Sequence, residues 1–158
     1  MPNKITPFLW FDTQAEEAAK FYASIFKNSK VGTISRYGEG GPGPKGSVMT
    51  VSFTIEGQHF TALNGGPTYK ITPAVSFVVN CATQKELDGY WNKLCAGGKP
   101  IQCGWLEDKF GVSWQIVPTV IFKMISDRNP ARSNRVMQAV LQMVKLDIKK
   151  LKEAYGKK

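Results

Sequence analysis

The sequence predicts an α+β fold: two βαβββ modules pairing mixed sheets around a cleft, followed by C-terminal helices. Three observations carry this. The order strand, amphipathic helix, strands occurs twice within 158 residues. At an offset of 68 residues Phe11-Asp12 falls on Val79-Asn80, and Ala19, Tyr22 and Phe26 fall on Leu87, Tyr90 and Leu94, the same apolar helix face. Each unit has a sheet it cannot cover alone, and two such sheets can pair and enclose a cleft. A single domain is expected, with module one at about 5–67, module two at about 72–118 and a helical extension at about 119–156.

In chain order, Phe8 to Phe11 is an apolar run suited to a buried strand. Thr13-Gln14-Ala15-Glu16 reads as a capping box, and Ala15, Ala18, Ala19, Tyr22, Ile25 and Phe26 recur at helical spacing. A strand follows at Val31 to Tyr37, then a Gly/Pro-rich loop over residues 38–46. Val48 to Ile55 alternates, with Met49, Val51, Phe53 and Ile55 on one face and Thr50, Ser52 and Thr54 on the other. Glu56-Gly57 turns the chain into a returning strand from His59 to Asn64, which Gly65-Gly66-Pro67 ends.

The second module opens with a strand at Val75 to Val79 and a second capping box, Thr83-Gln84-Lys85-Glu86. Leu87, Tyr90, Trp91 and Leu94 form its helical stripe. A strand near Ile101 to Trp105, a turn over Glu107 to Gly111 and a strand from Val112 to Val117 complete it. Beyond Pro118 the chain reads as helical, with Asn129-Pro130 as N-cap and first helical residue. Met137, Leu141, Val144, Ile148, Leu151 and Tyr155 then form one stripe, which packs on its own domain or on a twin subunit.

Composition narrows the function. The longest apolar runs are far short of the roughly 18 residues of a membrane span, so no membrane partner is expected, and no apolar segment follows Met1-Pro2-Asn3-Lys4 to suggest secretion. Cys81, Cys95 and Cys103 form no CxxC pair, and free thiols in a cytoplasmic protein are expected. The net charge of +9 suggests nucleic acid, but six lysines lie in the segment 145–158 against Asp147 and Glu153. Lysines spaced on a helix form a solvated face, and no nucleic-acid motif accompanies them, so no nucleic-acid partner is expected.

Several segments resemble one family. Pro7-Phe8-Leu9-Trp10-Phe11-Asp12, with Ala15-Glu16-Glu17-Ala18 and Phe21-Tyr22, is similar to the opening of PhnB-like proteins. Ala62 to Pro67, Gln102 to Leu106 and Asp108 to Pro118 resemble the branch labelled 3-demethylubiquinone-9 3-methyltransferase, as do Asn129-Pro130-Ala131-Arg132 and Arg135-Val136-Met137. The resemblance covers nearly the whole chain. It implies the vicinal oxygen chelate fold of the glyoxalase/bleomycin-resistance superfamily, and frequent dimers.

The resemblance also locates a metal-ligand set, and this chain departs from it. The glutamate slot of the last strand falls on Gln115, whose neutral carbonyl is a poor ligand for a divalent cation. The other slots fall near Pro73, Phe60 and the stretch Ile5 to Phe8, none of which supplies a ligand. The only histidine, His59, is expected on a hairpin. No metal and no cofactor are therefore expected. The label implies methyl transfer, but residues 38–46 lead into a strand and read as a hairpin loop, not as the strand-to-helix turn that holds S-adenosylmethionine.

On the same mapping Ser113 and Gln115 face the cleft from the last strand, and Phe60, Ala62 and Asn64 from the fourth. Trp10 and Trp105 are candidate walls, with core packing the alternative; for Asn64 the alternative is a turn before Gly65-Gly66. Aromatic surface with a few amides and hydroxyls suits a flat, mostly apolar ligand. The expected function is metal-free binding of an aromatic or quinone-like small molecule by a homodimer. The alternative is an enzyme, either the methyltransferase of the label or a lyase or dioxygenase with an atypical site.

Overall fold

A computed structural model describes residues 3–157. The chain divides into two units between Ile71 and Thr72. The first contains β1 (Phe8–Phe11), α1 (Ala15–Ile25), β2 (Lys30–Arg36), β3 (Val48–Ile55) and β4 (Gln58–Asn64). Its four-stranded sheet has the order β1-β4-β3-β2, with β1 parallel to β4 and the other pairs antiparallel. β3 and β4 are joined by Glu56 and Gly57, both at positive φ (47° and 80°), the conformation a two-residue hairpin requires.

One face of this sheet packs under α1. Ala15, Ala18 and Ala19 are fully buried, and their small side chains let the helix lie close to the strands. Tyr22 stacks on Phe53 (ring centroids 6.0 Å apart), and Phe53 stacks on Phe60 (5.2 Å). Burial of rings of this size supplies about 1.5–3 kcal/mol each and dominates the stability of the unit.

The capping box expected at Thr13 to Glu16 does not form. Gln14 is the N-cap and makes no side-chain capping bond. Instead the carbonyl Oδ1 of Asn64, at the end of β4, accepts the Ala15 N–H at 2.8 Å. A long-range acceptor displaces the local one because β1 and β4 are adjacent and place Asn64 opposite Phe11, just before the helix.

The second unit repeats the pattern with β5 (Ser76–Cys81), α2 (Gln84–Cys95), β6 (Lys99–Pro100), β7 (Trp105–Glu107) and β8 (Ser113–Pro118). Its sheet order is β5-β8-β7-β6, with β5 parallel to β8. Here the capping box is present: Thr83 Oγ1 accepts the Glu86 N–H at 3.2 Å, and the Glu86 carboxylate accepts the Ala82 N–H at 2.7 Å. α2 packs across β7 and β8 with Leu87, Trp91 and Leu94, over Leu106, Trp114 and Ile116.

The strand expected near Ile101 to Trp105 is instead a turn between β6 and β7. Cys103 and Gly104 both adopt positive φ (64° and 82°), which no strand tolerates. The turn between β7 and β8 is organised by Asp108. Its buried carboxylate accepts the N–H groups of Phe110 (2.8 Å) and Val112 (3.1 Å) and the indole N–H of Trp114 (2.9 Å).

The C-terminal stripe is not one helix. α3 (Val120–Ile125), α4 (Pro130–Leu141) and α5 (Ile148–Gly156) are separate, with α4 starting at the expected Asn129 cap. The break follows from tethering: Met143 and Val144 carbonyls accept the N–H groups of Cys103 (2.8 Å) and Gly104 (2.7 Å). Leu146 is buried against Gly104, where a Cβ would lie 2.9 Å from Leu146 Cγ. Arg135 Nε donates to Ala154 O at 3.2 Å, and the Arg132 guanidinium lies 4.1 Å from the centre of the Tyr155 ring. These contacts meet the orphan carbonyls and negative pole at the end of α5.

Candidate functional site

Each sheet has a second face turned away from its helix. In the second unit, residues paired across the strands share that face in two rows. One row is Ser76, Ser113, Glu107 and Lys99; the next is Val78, Gln115 and Trp105. Gln115 Nε2 donates to the Ser76 hydroxyl at 3.0 Å, and Lys99 lies 3.4 Å from the Glu107 carboxylate. Ser113 is fully buried, and its hydroxyl has no hydrogen-bond partner among the described residues. Most buried polar atoms are paired, so an orphan hydroxyl marks a place where a partner is missing.

In the first unit the face away from α1 carries Trp10, Leu63, Thr50 and Ser35 in one row and Phe8, Thr61 and Ser52 in another. Trp10 is half-buried. Its indole donates to Gly66 O at 2.9 Å, and its ring meets Tyr69 edge-on at 5.0 Å. Gly65 allows this seat, since a Cβ there would fall 2.3 Å from the indole ring.

Of the six residues singled out in the sequence, the fold brings Trp105, Ser113 and Gln115 together on one sheet face. Trp10 lies on the corresponding face of the other unit. Phe60 does not line an open face: it is in the core with Phe53 and Tyr22, under α1, and Ala62 lies beside it. The cause is register. Thr61 and Leu63 hold the outward positions of β4, and a slip of one residue moves every side chain to the other face. Asn64 shares the helix side and is fully engaged there. Its amide donates to Val48 O (3.2 Å) while its carbonyl caps α1. Its backbone carbonyl accepts the Tyr37 hydroxyl at 2.6 Å.

Ser76, Glu107 and Lys99 were missed in the sequence. The signal for Ser76 was the alternation of the fifth strand; Lys99 and Glu107 became visible only once the turn at 101–104 separated β6 from β7.

The matched family model, described as 3-demethylubiquinone-9 3-methyltransferase, covers residues 3–117. The chain belongs to this family. Among solved structures it is similar to the PhnB protein from Bacillus cereus, which carries the same methyltransferase name. The two are 40% identical over 74% of this chain and 100% of that one, with a TM-score of 0.68. A protein from Pseudomonas aeruginosa shares the fold at 22% identity, covering 72% of this chain and 96% of that one, with a TM-score of 0.60. No curated protein gives a significant match. The two modules and their identical strand order are those of the vicinal oxygen chelate fold, and α3 to α5 lie beyond the matched residues.

The divalent metal implied by that fold does not fit the donors of this family member. Among the described residues no three His, Cys, Asp or Glu side chains come together. Gln115 offers a neutral amide oxygen in place of a carboxylate, and His59 sits on the β3–β4 hairpin, its ring nitrogen 3.5 Å from the Thr54 hydroxyl. The glycine-rich loop joins β2 to β3, so it is a strand-to-strand connection. No helix is long and apolar enough to cross a membrane among the described residues.

Proposed function

We propose that this chain binds a small aromatic or quinone-like ligand, without a metal ion, on the sheet face that carries Trp105, Ser113 and Gln115. The observation that carries the reading is the orphan Ser113 hydroxyl. A buried hydroxyl without a partner costs about 1–3 kcal/mol. A ligand oxygen that reaches this hydroxyl through a small shift of the side chains over it recovers that cost, and the Gln115 amide, two residues along the same strand face, offers a second polar contact. Trp105, opposite Gln115, supplies the flat apolar surface on which a ring rests. The family name points to a quinone-derived ring. The reading includes a cytoplasmic homodimer, in keeping with three unpaired thiols and with the dimers common in the superfamily.

The test is a fluorescence titration of the purified protein with 2-hydroxy-1,4-naphthoquinone, with metal analysis of the same sample. Saturable quenching by metal-free protein supports the reading. Absence of saturation with this and a panel of smaller phenols and quinones overturns it.

The family name also favours a second reading, methyl transfer to a phenolic oxygen, with Glu107 beside Ser113 as the one carboxylate on the face. Saturable binding of S-adenosylmethionine by calorimetry supports that reading; no heat of binding removes it.

A further inference from the structure

Residues 119–158 hold ten Lys and Arg against three acidic residues, so this quarter of the chain contributes +7 of the net +9. They lie outside the family match, and the Bacillus cereus relative is covered in full by 74% of this chain. The charge is therefore concentrated on an addition to the common modules.

Among the described residues, the addition also carries exposed apolar side chains. Ile121, Met124, Val136, Val140, Leu146 and Leu151 are its buried side chains. One position on from four of these, Phe122 (49% exposed), Ile125, Met137 and Leu141 (51%) remain in solvent, as does Val144. On α4, Met137 and Leu141 are one turn apart and share a side; on α3, Phe122 and Ile125 do the same. α3 packs against α4, and α5 packs against both. Not all the cations are available. Arg132 and Arg135 serve the end of α5, and Lys145 pairs with Asp88 at 2.8 Å. Lys123, Arg128, Lys149, Lys150 and Lys152 are exposed.

We propose that the α3–α5 extension docks the protein on an anionic lipid surface. Exposed Phe, Ile, Leu, Met and Val on helices that pack together with a lysine-rich one have the chemistry of interfacial attachment: apolar side chains enter the acyl boundary while the cations meet lipid phosphates. Charge complementarity selects this occupant over a second copy, whose extension carries the same net positive charge. It is favoured over nucleic acid because Phe122 and Arg128 alone do not make the array of rings and guanidiniums that stacks bases and tracks a phosphate backbone. The inference stands apart from the ligand reading and fails or holds independently of it.

The test is co-sedimentation of the full chain with vesicles of phosphatidylcholine alone and with vesicles also containing phosphatidylglycerol. Pelleting with the anionic vesicles only, released by salt, is expected. Charge reversal at three exposed positions, Lys149→Glu with Lys150→Glu and Lys152→Glu, is expected to weaken binding by more than about tenfold. Leu141→Ser, also at the surface, is expected to weaken it several-fold, with helix content retained by circular dichroism. No pelleting with anionic vesicles, equal pelleting with both kinds, or indifference to charge reversal overturns the proposal; capture of an acidic protein without vesicle binding does so as well.

Discussion

Asn64 and Ala15 are 49 positions apart in sequence, yet the Asn64 side-chain oxygen accepts the Ala15 N–H at 2.8 Å and so joins the end of β4 to the start of α1. The same amide donates to Val48 O at 3.2 Å. Asn64→Ala removes both bonds and is expected to destabilise the protein by about 1–3 kcal/mol. Thr13→Ala removes only the residue whose local capping bond is absent, and its cost is expected within about 0.5 kcal/mol. Urea unfolding of the two variants measures the contrast.

Asp108 holds the β7–β8 turn from within. Three donors converge on its carboxylate, and only 2% of the residue is exposed. Asp108→Asn keeps the shape but replaces one acceptor with a donor facing N–H groups. A loss of about 2–4 kcal/mol is expected, read from the urea midpoint. A small change in near-ultraviolet circular dichroism at the Trp114 band should accompany it, since the indole loses its acceptor.

The three thiols differ in reactivity. Cys81 is fully buried at the end of β5, and burial, with the Glu86 carboxylate adding to it, pushes its pKa up to about 11. The thiolate is the reactive form, so Cys81 is expected to resist iodoacetamide in the folded protein at mildly alkaline pH. The half-buried Cys95 and Cys103 are expected to react before it. Peptide mass analysis after a timed exposure reads the order.

The C-terminal helices are tied down by ionisable pairs. The hydrogen bond from Tyr155 and then the Asn129 N–H hold the Asp127 carboxyl below its ordinary value, while Lys145 and then Gln84 do so for Asp88. Depressed carboxyls stabilise the fold above about pH 4, and that contribution is lost as pH falls through their folded values. The bond to Asp127 raises the Tyr155 hydroxyl. Its contribution is present below about pH 10 and lost as pH rises through the raised value. Hydrogen exchange in residues 130–156 is therefore expected to be slowest at intermediate pH, after correction for intrinsic rates, and to quicken at both extremes.

Much of the fold was legible because it rests on periodicity. The alternation from Val48 to Ile55 and the stripe of Ala18, Tyr22 and Ile25 state which face is covered, and the repeat exposes the second module. The shared face of three candidate residues was legible for the same reason: Ser113 and Gln115 share parity, and Trp105 pairs with Gln115. What failed depended on partners far along the chain. The parity of β4 is set by its pairing with β1 and β3, which puts Thr61 and Leu63, not Phe60, on the side away from α1. The cap of α1 came from β4, which no local motif can announce. The heptad-like spacing from Met137 to Tyr155 suggested one helix, but bonds from Cys103 and Gly104 to the carbonyls of Met143 and Val144 break it there.

The most direct test of the proposed site is Ser113→Ala, compared with the unaltered protein for both thermal stability and affinity for 2-hydroxy-1,4-naphthoquinone. Removal of an orphan buried hydroxyl is expected to leave the ligand-free protein as stable or up to about 1 kcal/mol more stable, while affinity falls by about tenfold. A loss of stability with unchanged affinity would make Ser113 a packing residue and contradict a ligand at this face.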